Sequence, residues 1–148
     1  RMYMFNSVAL RFGNVYGPRQ NPKGEAGVVA IFCELLKQGG RPVVFGDGTQ
    51  TRDYVYVDDV VEAIVAASRT DVEGAINVGT GVEISLLQLL EALAKHSPEG
   101  KGFEPEFDEK RPGEVMRIAI DPSRAGLELG WSPSTSLEAG LKETLDAL

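Results

Sequence analysis

The sequence predicts an α/β domain organised on a parallel sheet, and three observations carry that reading. Short apolar runs alternate along the chain with stretches whose apolar residues recur at helical spacing. The run Val8, Ala9, Leu10 and Phe12 is apolar, as a strand covered on both faces of a parallel sheet should be. At 148 residues, 43% of them hydrophobic, the chain has the length and apolar content of one domain with a core.

The first strand spans Ser7 to Phe12 and stops at Gly13. The loop from Gly13 to Gly27 is rich in Gly, Pro and Asn, and loops this long in compact domains are more often functional than accidental. Val28, Ile31, Phe32, Leu35 and Leu36 recur at helical spacing, which predicts a helix from Val28 to Gln38 stopped by Gly39 and Gly40. Val43 to Phe45 is a short apolar strand. It runs into a turn at Gly46, Asp47 and Gly48, where glycine takes the positive φ that other residues resist. From Arg52 to Val57, charged or aromatic residues interleave with Val55 and Val57, which predicts a second extended segment. Asp58 or Asp59 caps the next helix, which ends near Arg69 and shows Val60, Val61, Ile64, Val65 and Ala67 as its apolar face.

Ala75 to Val78 is a further strand, closed by Gly79, Thr80 and Gly81. Ser85 and Gln88 form a capping box with Ile84 and Leu89 as its hydrophobic staple, so a helix starts at Leu86 and runs to about Lys95. Ser97 to Pro112 reads as a charged loop with an extended piece around Phe103 to Phe107. Met116 to Ile120 is a short strand, and Asp121 and Pro122 start a helix with the aspartate as cap. Thr135 and Glu138 supply a second capping box, for a terminal helix reaching Leu148.

The net charge of −7 repels nucleic acid and anionic membrane alike, so neither is an expected partner, although local arginines can still hold one small anion. One cysteine, Cys33, and one histidine, His96, supply neither a disulfide framework nor a metal cluster. No apolar run reaches the roughly 18 residues of a bilayer span and no signal peptide is visible, which points to a reducing cytoplasm. The chain opens on Arg1 rather than Met and passes almost at once into a strand, which reads as an entry into the middle of something longer.

No nucleophile, base and acid stand together in a motif, so no catalytic residue is assigned. Cys33 reads as packing, His96 as a solvated helix end, and Trp131 as a core anchor more than a stacking platform. The cluster Glu104, Glu106, Asp108 and Glu109 reads as a solvated face rather than a metal site. The remaining signals concern binding: Asn14 in the long loop, Arg52 after the glycine turn, and Arg111 in the rigid turn KRPGE. Two readings of Arg52 stand side by side: a planar fork gripping a phosphate, or half of a surface ion pair with Asp53.

The runs LRFGNVYGPRQ (Leu10 to Gln20), GEAGVVAIF (Gly24 to Phe32), VVFGDGTQTRDYVYVDDV (Val43 to Val60), INVGTG (Ile76 to Gly81) and RPGEV (Arg111 to Val115) resemble the C-terminal half of an extended short-chain dehydrogenase/reductase. The resemblance covers nearly the whole chain, in order, and is nearest to the NAD-dependent epimerase/dehydratase family, above all to its members that invert C4 of a UDP-linked hexose. It implies the C-terminal part of a Rossmann-type parallel sheet plus a small α/β substrate-binding domain. Phe12 and Asn14 would lie near the nicotinamide, and Asn14 also near the sugar diphosphate. Gly27 and Val28 would present backbone to the nucleotide, and Val43 and Phe45 would flank its base. Arg52 and Arg111 would clamp the pyrophosphate, Glu114 would meet a ribose hydroxyl, and Tyr54 and the aspartates after it would be structural.

The departures matter as much. The family's Gly-rich dinucleotide turn is not in this sequence, and no tyrosine here is followed four residues later by lysine. The expectation is therefore that residues 1–148 form the sugar-nucleotide-binding portion of an enzyme whose complete form carries NAD, with no redox chemistry of their own. Arg1 is expected to lie just beyond the absent catalytic helix. A 4,6-dehydratase stays open, as does a noncatalytic binding or assembly module. The edge of the first strand, without a neighbour, is expected to invite self-association.

Overall fold

The computed structural model describes residues 6–23, 27–96 and 103–148; the opening residues, including Arg1, and parts of both long loops, 24–26 and 97–102, lie outside them. In chain order the elements are strands β1 (Val8–Phe12) and β2 (Asn14–Tyr16), helix α1 (Val28–Gln38), strands β3 (Val43–Phe45), β4 (Thr51–Arg52) and β5 (Tyr54–Tyr56), and helix α2 (Val57–Ala67). Strands β6 (Gly74–Val78) and β7 (Ile84–Ser85), helix α3 (Leu86–Ala94), strand β8 (Glu106–Asp108), and helices α4 (Ser123–Leu129) and α5 (Leu137–Asp146) complete them. The pairs β1–β6, β2–β5 and β3–β8 are parallel, and β4–β7 is antiparallel. The α/β class and its parallel pairing are as the sequence predicts.

The core is divided by β5. Side chains alternate across a strand, so three consecutive buried residues must serve two interiors. Tyr54 and Tyr56 face a cluster with Tyr16, Phe32, Val44, Leu89, Leu93 and Leu141, under α1, α3 and α5. Val55 faces the other way, into a cluster of Val60, Ala63, Ile76, Val78, Ala125 and Trp131. Each fully buried Val or Leu of this kind stabilises the fold by about 1.5–3 kcal/mol relative to an exposed one. The Tyr16 ring meets Tyr54 and Tyr56 edge-on, with centroids 6.5 and 5.7 Å apart. Helix α5 lies so close that a methyl group on Gly140 would overlap the Tyr16 hydroxyl.

Two buried aspartates tie distant segments together. The Asp53 carboxylate accepts from the Thr80 N–H at 2.9 Å and hydroxyl at 2.6 Å, and from the N–H groups of Gly81 at 3.0 Å and Ile120 at 3.2 Å. The Asp59 carboxylate accepts from the N–H and hydroxyl groups of Ser134 and Thr135, while its carbonyl accepts from the Trp131 indole at 2.9 Å. Trp131 is thus a core anchor, and both aspartates satisfy their charge with donors rather than with a cation.

Several expectations are corrected. The loop from Gly13 contains β2, whose hydrogen-bond partner is β5, far along the chain. Strand β1 is not covered on both faces: Val8 and Leu10 pack on the second core, but Ala9 and Arg11 are exposed because nothing described packs on their side. Neither Asp58 nor Asp59 caps α2; the cap position is Tyr56, and Asp59 is drawn inward by Ser134 and Thr135. That anchor fixes the helix rotation, so Ala63 and Ala67 join Val60 in the core while Val61, Ile64 and Val65 are exposed.

The extended segment predicted from Arg52 to Val57 is interrupted at Asp53, and Val57 already belongs to α2. Met116 to Ile120 shrinks to one parallel bridge, Thr51 with Arg117. The extended piece near Phe103 to Phe107 sits slightly later, as β8, paired with β3. Ser136, not Thr135, caps α5 by accepting from the Ala139 N–H, since the Thr135 hydroxyl is committed to Asp59. Asp121 accepts from the Ser123 N–H one position before the assigned helix cap, Pro122. His96 is half-buried in the turn after α3 rather than solvated. The capping box of Ser85 and Gln88 forms as read.

Candidate functional site

Strand β3 sends Val44 into the core and leaves Val43 and Phe45 on its other side, by the two-residue period of a strand. Phe45 enters the glycine turn, where Gly46 and Gly48 hold φ of 76° and 75°. A methyl group on Gly48 would come within 2.8 Å of the Leu87 side chain at a positive φ, so this position favours glycine. Inside the turn the Asp47 carboxylate accepts from the Thr49 hydroxyl and N–H, and these bonds hold it below the usual carboxylate range. Gln50, buried, donates its amide to the Phe45 carbonyl at 3.1 Å and closes the turn.

A cavity of about 270 Å3 opens beside this turn, lined by Phe45, Gly46, Asp47, Gln50, Lys110, Glu114 and Met116. The Arg111 guanidinium lies over the Phe45 ring, 3.8 Å from its centroid. On the other side, Arg52 Nη2 is 3.7 Å from Glu114 Oε1, and Arg52 Nη1 donates to the Thr51 and Val115 carbonyls at 2.8 Å each. The expected alternative partner of Arg52, Asp53, faces Thr80, Gly81 and Ile120 instead. Neither arginine lines the cavity directly; each stands behind a residue that does, Arg111 on Phe45 and Arg52 on Glu114. Two permanently charged forks flanking a half-enclosed space with an aromatic wall suit an anion attached to a flat apolar group.

The remaining predicted residues occupy other places. Phe12 is exposed at the carboxyl end of β1, opposite Val78 in the register, and the Gly13 N–H donates to the Val78 carbonyl at 3.0 Å. Asn14 follows at once, its side chain exposed and its N–H donating to the Asp53 carbonyl at 2.6 Å. Carboxyl ends of parallel strands are where open α/β sheets take their ligands. Gly27 occupies the cap position of α1 without a side-chain cap, and Val28 is the first helical residue, so backbone N–H groups are presented there.

Sequence reasoning missed Gly46, Asp47, Gln50, Lys110 and Met116 among the lining residues. The available signal was adjacency, since Gln50 is two residues from Arg52 and Lys110 is beside Arg111. The acidic run holds no metal-type group of three or more among the described residues; Glu106 pairs with Arg41 at 3.0 Å. Among those residues no helix is long and apolar enough to cross a membrane.

Comparison with known proteins bears on the same segments. The family model described as GDP-mannose 4,6 dehydratase matches residues 1–144. The UDP-glucose 4-epimerase of Mycolicibacterium smegmatis is 50% identical over 146 residues, 98% of this chain and 46% of its own. The crystal structure of UDP-glucose 4-epimerase with UDP-glucose from Thermotoga maritima superposes with a TM-score of 0.89 at 45% identity, covering 95% of this chain and 45% of that one. The Thermus thermophilus UDP-glucose 4-epimerase complex with NAD gives a TM-score of 0.87 at 40% identity, with coverage of 99% and 47%. The chain therefore spans about half the length of the relatives it matches.

Proposed function

We propose a function from this premise: the chain belongs to the GDP-mannose 4,6-dehydratase family. Within that family it supplies the nucleotide-sugar side of an NAD-dependent epimerase working at C4 of a UDP-hexose, as UDP-glucose 4-epimerase does. The observation that carries this reading is the cavity lined by both Phe45 and Glu114, with Arg111 behind one and Arg52 behind the other. Arg52 and Arg111 hold the diphosphate, which anchors the substrate while the hexose turns. Glu114 accepts from a ribose hydroxyl. Val43 and Phe45 border the base, which meets the part of the Phe45 ring that Arg111 leaves uncovered. Gly27 and Val28 offer backbone at the start of α1.

Phe12 and Asn14 fit one wall of a nicotinamide site: both are exposed, Phe12 ends the parallel strand β1, and Asn14 starts β2 one residue further on. NAD, when bound, supplies reversible acceptance of a hydride from the sugar carbon. Residues 1–148 hold neither a Gly-rich dinucleotide turn nor a tyrosine followed four residues later by lysine, so by themselves they bind nucleotide sugar without turning it over. Its compartment is the cytoplasm. Among the described residues β1 pairs on one edge only, with β6, and the other edge supports self-association.

Calorimetry with UDP, UDP-glucose and dTDP-glucose tests the reading. Uridine preference is expected, and Arg52→Ala weakens UDP binding roughly 10- to 100-fold, the range of charge-assisted hydrogen bonds. A 4,6-dehydratase is the second reading, favoured by the family's own description, and preference for dTDP-glucose would select it. Binding to none of the three would leave a noncatalytic assembly module.

A further inference from the structure

Behind the cavity wall, residues 114–118 form a strap laced onto β4. The Thr51 N–H donates to the Met116 carbonyl at 2.8 Å, the Ile118 N–H to the Thr51 carbonyl at 3.3 Å, and Arg52 Nη1 to the Val115 carbonyl at 2.8 Å. The strap carries Glu114 and Met116 into the cavity lining. Strand β4 is thus the middle of a small mixed sheet, with β7 on one side and the Arg117 bridge on the other. Its two residues face opposite ways: Arg52 toward Glu114, and Thr51 toward a second polar group. That group is Glu83, just before β7. Glu83 Oε2 accepts from the Thr51 hydroxyl at 2.7 Å and from Arg117 Nε at 2.9 Å, and Oε1 accepts from Arg117 Nη2 at 2.8 Å. The fork and the carboxylate meet bidentately, the geometry that fixes orientation as well as charge.

We infer that Glu83 is a positioning residue of the binding site: through Arg117 and Thr51 it clips all three strands of the small sheet and holds the strap in the register that turns Glu114 and Met116 toward the cavity. The inference rests on the nucleotide-sugar reading for its ligand, but the clip itself does not. A strap joined to β4 by only two backbone hydrogen bonds and one arginine contact is free to slip or fray at its exposed side, and the clip sits on that side. Arg117 touches no cavity atom, so its effect on a ligand passes entirely through the strap.

The test has two arms on the same chain. Amide hydrogen exchange without ligand reads the clip: in Glu83→Gln the Thr51 and Ile118 amides exchange faster than in the parent, while Lys142→Ala, which breaks an unrelated exposed pair on α5, leaves them unchanged. Calorimetry with UDP reads the consequence. Glu83→Gln and Arg117→Gln each weaken UDP roughly 3- to 10-fold in a chain that stays folded under the assay conditions, and the charge-swapped pair Glu83→Arg with Arg117→Glu recovers most of the loss. Unchanged exchange at Thr51 and Ile118 in Glu83→Gln overturns the clip. Faster exchange with unaltered UDP affinity overturns its positioning role. If the parent does not bind UDP, the functional reading falls and the exchange arm alone decides whether the clip exists.

Discussion

The most exacting consequence concerns Asp53, one residue from the arginine on which the site depends. Its carboxylate is wholly buried and accepts four hydrogen bonds, three of them from backbone N–H groups of Thr80, Gly81 and Ile120. Asp53→Asn keeps the shape and replaces one acceptor by a donor. The least costly orientation turns the new amide nitrogen toward Thr80, whose hydroxyl can reverse and accept, and one N–H, that of Thr80, is then left facing a donor. An orphaned buried N–H costs about 1–3 kcal/mol, and the bonds that survive drop from charge-assisted to neutral strength, about 1 kcal/mol each, partly offset by the easier burial of a neutral group. The net is a loss of about 3 kcal/mol, a large share of the roughly 5–15 kcal/mol that holds a domain together. With a urea dependence of about 1–3 kcal/mol per molar, the midpoint falls by about 1–3 M. A shift below about 0.3 M, the size expected of a surface ion pair, would refute the reasoning and return Asp53 to the role of a solvated neighbour of Arg52.

The other predictions concern packing and titration. Gly140→Ala drives a methyl group into the Tyr16 hydroxyl and to 2.9 Å from the Tyr56 ring, so a loss of about 1–3 kcal/mol is expected by urea unfolding despite the better helix propensity of alanine. Gly126→Ala in α4 meets nothing nearer than the Trp131 carbonyl oxygen at 3.7 Å, so the same change gains about 0.5–1 kcal/mol there; equal signs at the two sites would contradict the packing. Burial pushes Tyr54 from 10.0 up to about 12 and Cys33 from 9.0 up to about 12. Groups raised in the folded state keep their stabilising contribution below the unfolded value and lose it above, so unfolding free energy holds to about pH 9 and falls steeply toward pH 12, by on the order of 3 kcal/mol for the tyrosine alone. Glu83 runs the opposite way: hydrogen bonds from Arg117 and Thr51 lower it from 4.5 to about 2, so its contribution is complete above pH 4.5 and disappears as pH falls through 2. Acid titration of Glu83→Gln should lack that part of the decline.

Helices α1, α2 and α3 were legible because helical periodicity and caps are local, and the Ser85–Gln88 box fell where its spacing put it. What failed was decided at long range. Strand β2 is three residues inside a Gly- and Pro-rich loop and exists because β5 offers it a parallel edge. The interleaving of Arg52 to Val57 showed an extended segment, but not that Tyr54 and Tyr56 face one core while Val55 faces another. The Thr135–Glu138 spacing was sound as a capping signal, but Asp59 competes for the same hydroxyl from the far side of the fold, and the cap moves to Ser136. Asp59 is drawn inward by the same residues, and α2 buries Val60 and Ala67 of its apolar stripe together with Ala63, while Val61, Ile64 and Val65 are exposed.

At the candidate site, the glycine turn and the two arginines stood out, but their surroundings did not. The stack of Arg111 on Phe45 joins residues far apart in sequence, and the pairing of Arg52 with Glu114 rather than with its neighbour Asp53 has a geometric cause. Along an extended segment Thr51 and Asp53 share one side and Arg52 takes the other. The two flanking side chains go to the frame, Thr51 to Glu83 and Asp53 to Thr80, Gly81 and Ile120, while Arg52 alone turns to the cavity side. An aspartate beside an arginine is therefore no counter-ion here; strand geometry separates them. Three consecutive residues then divide into two that fix the frame and one that backs the lining residue Glu114, so loss of either flanking residue should weaken the site without removing any charge from it.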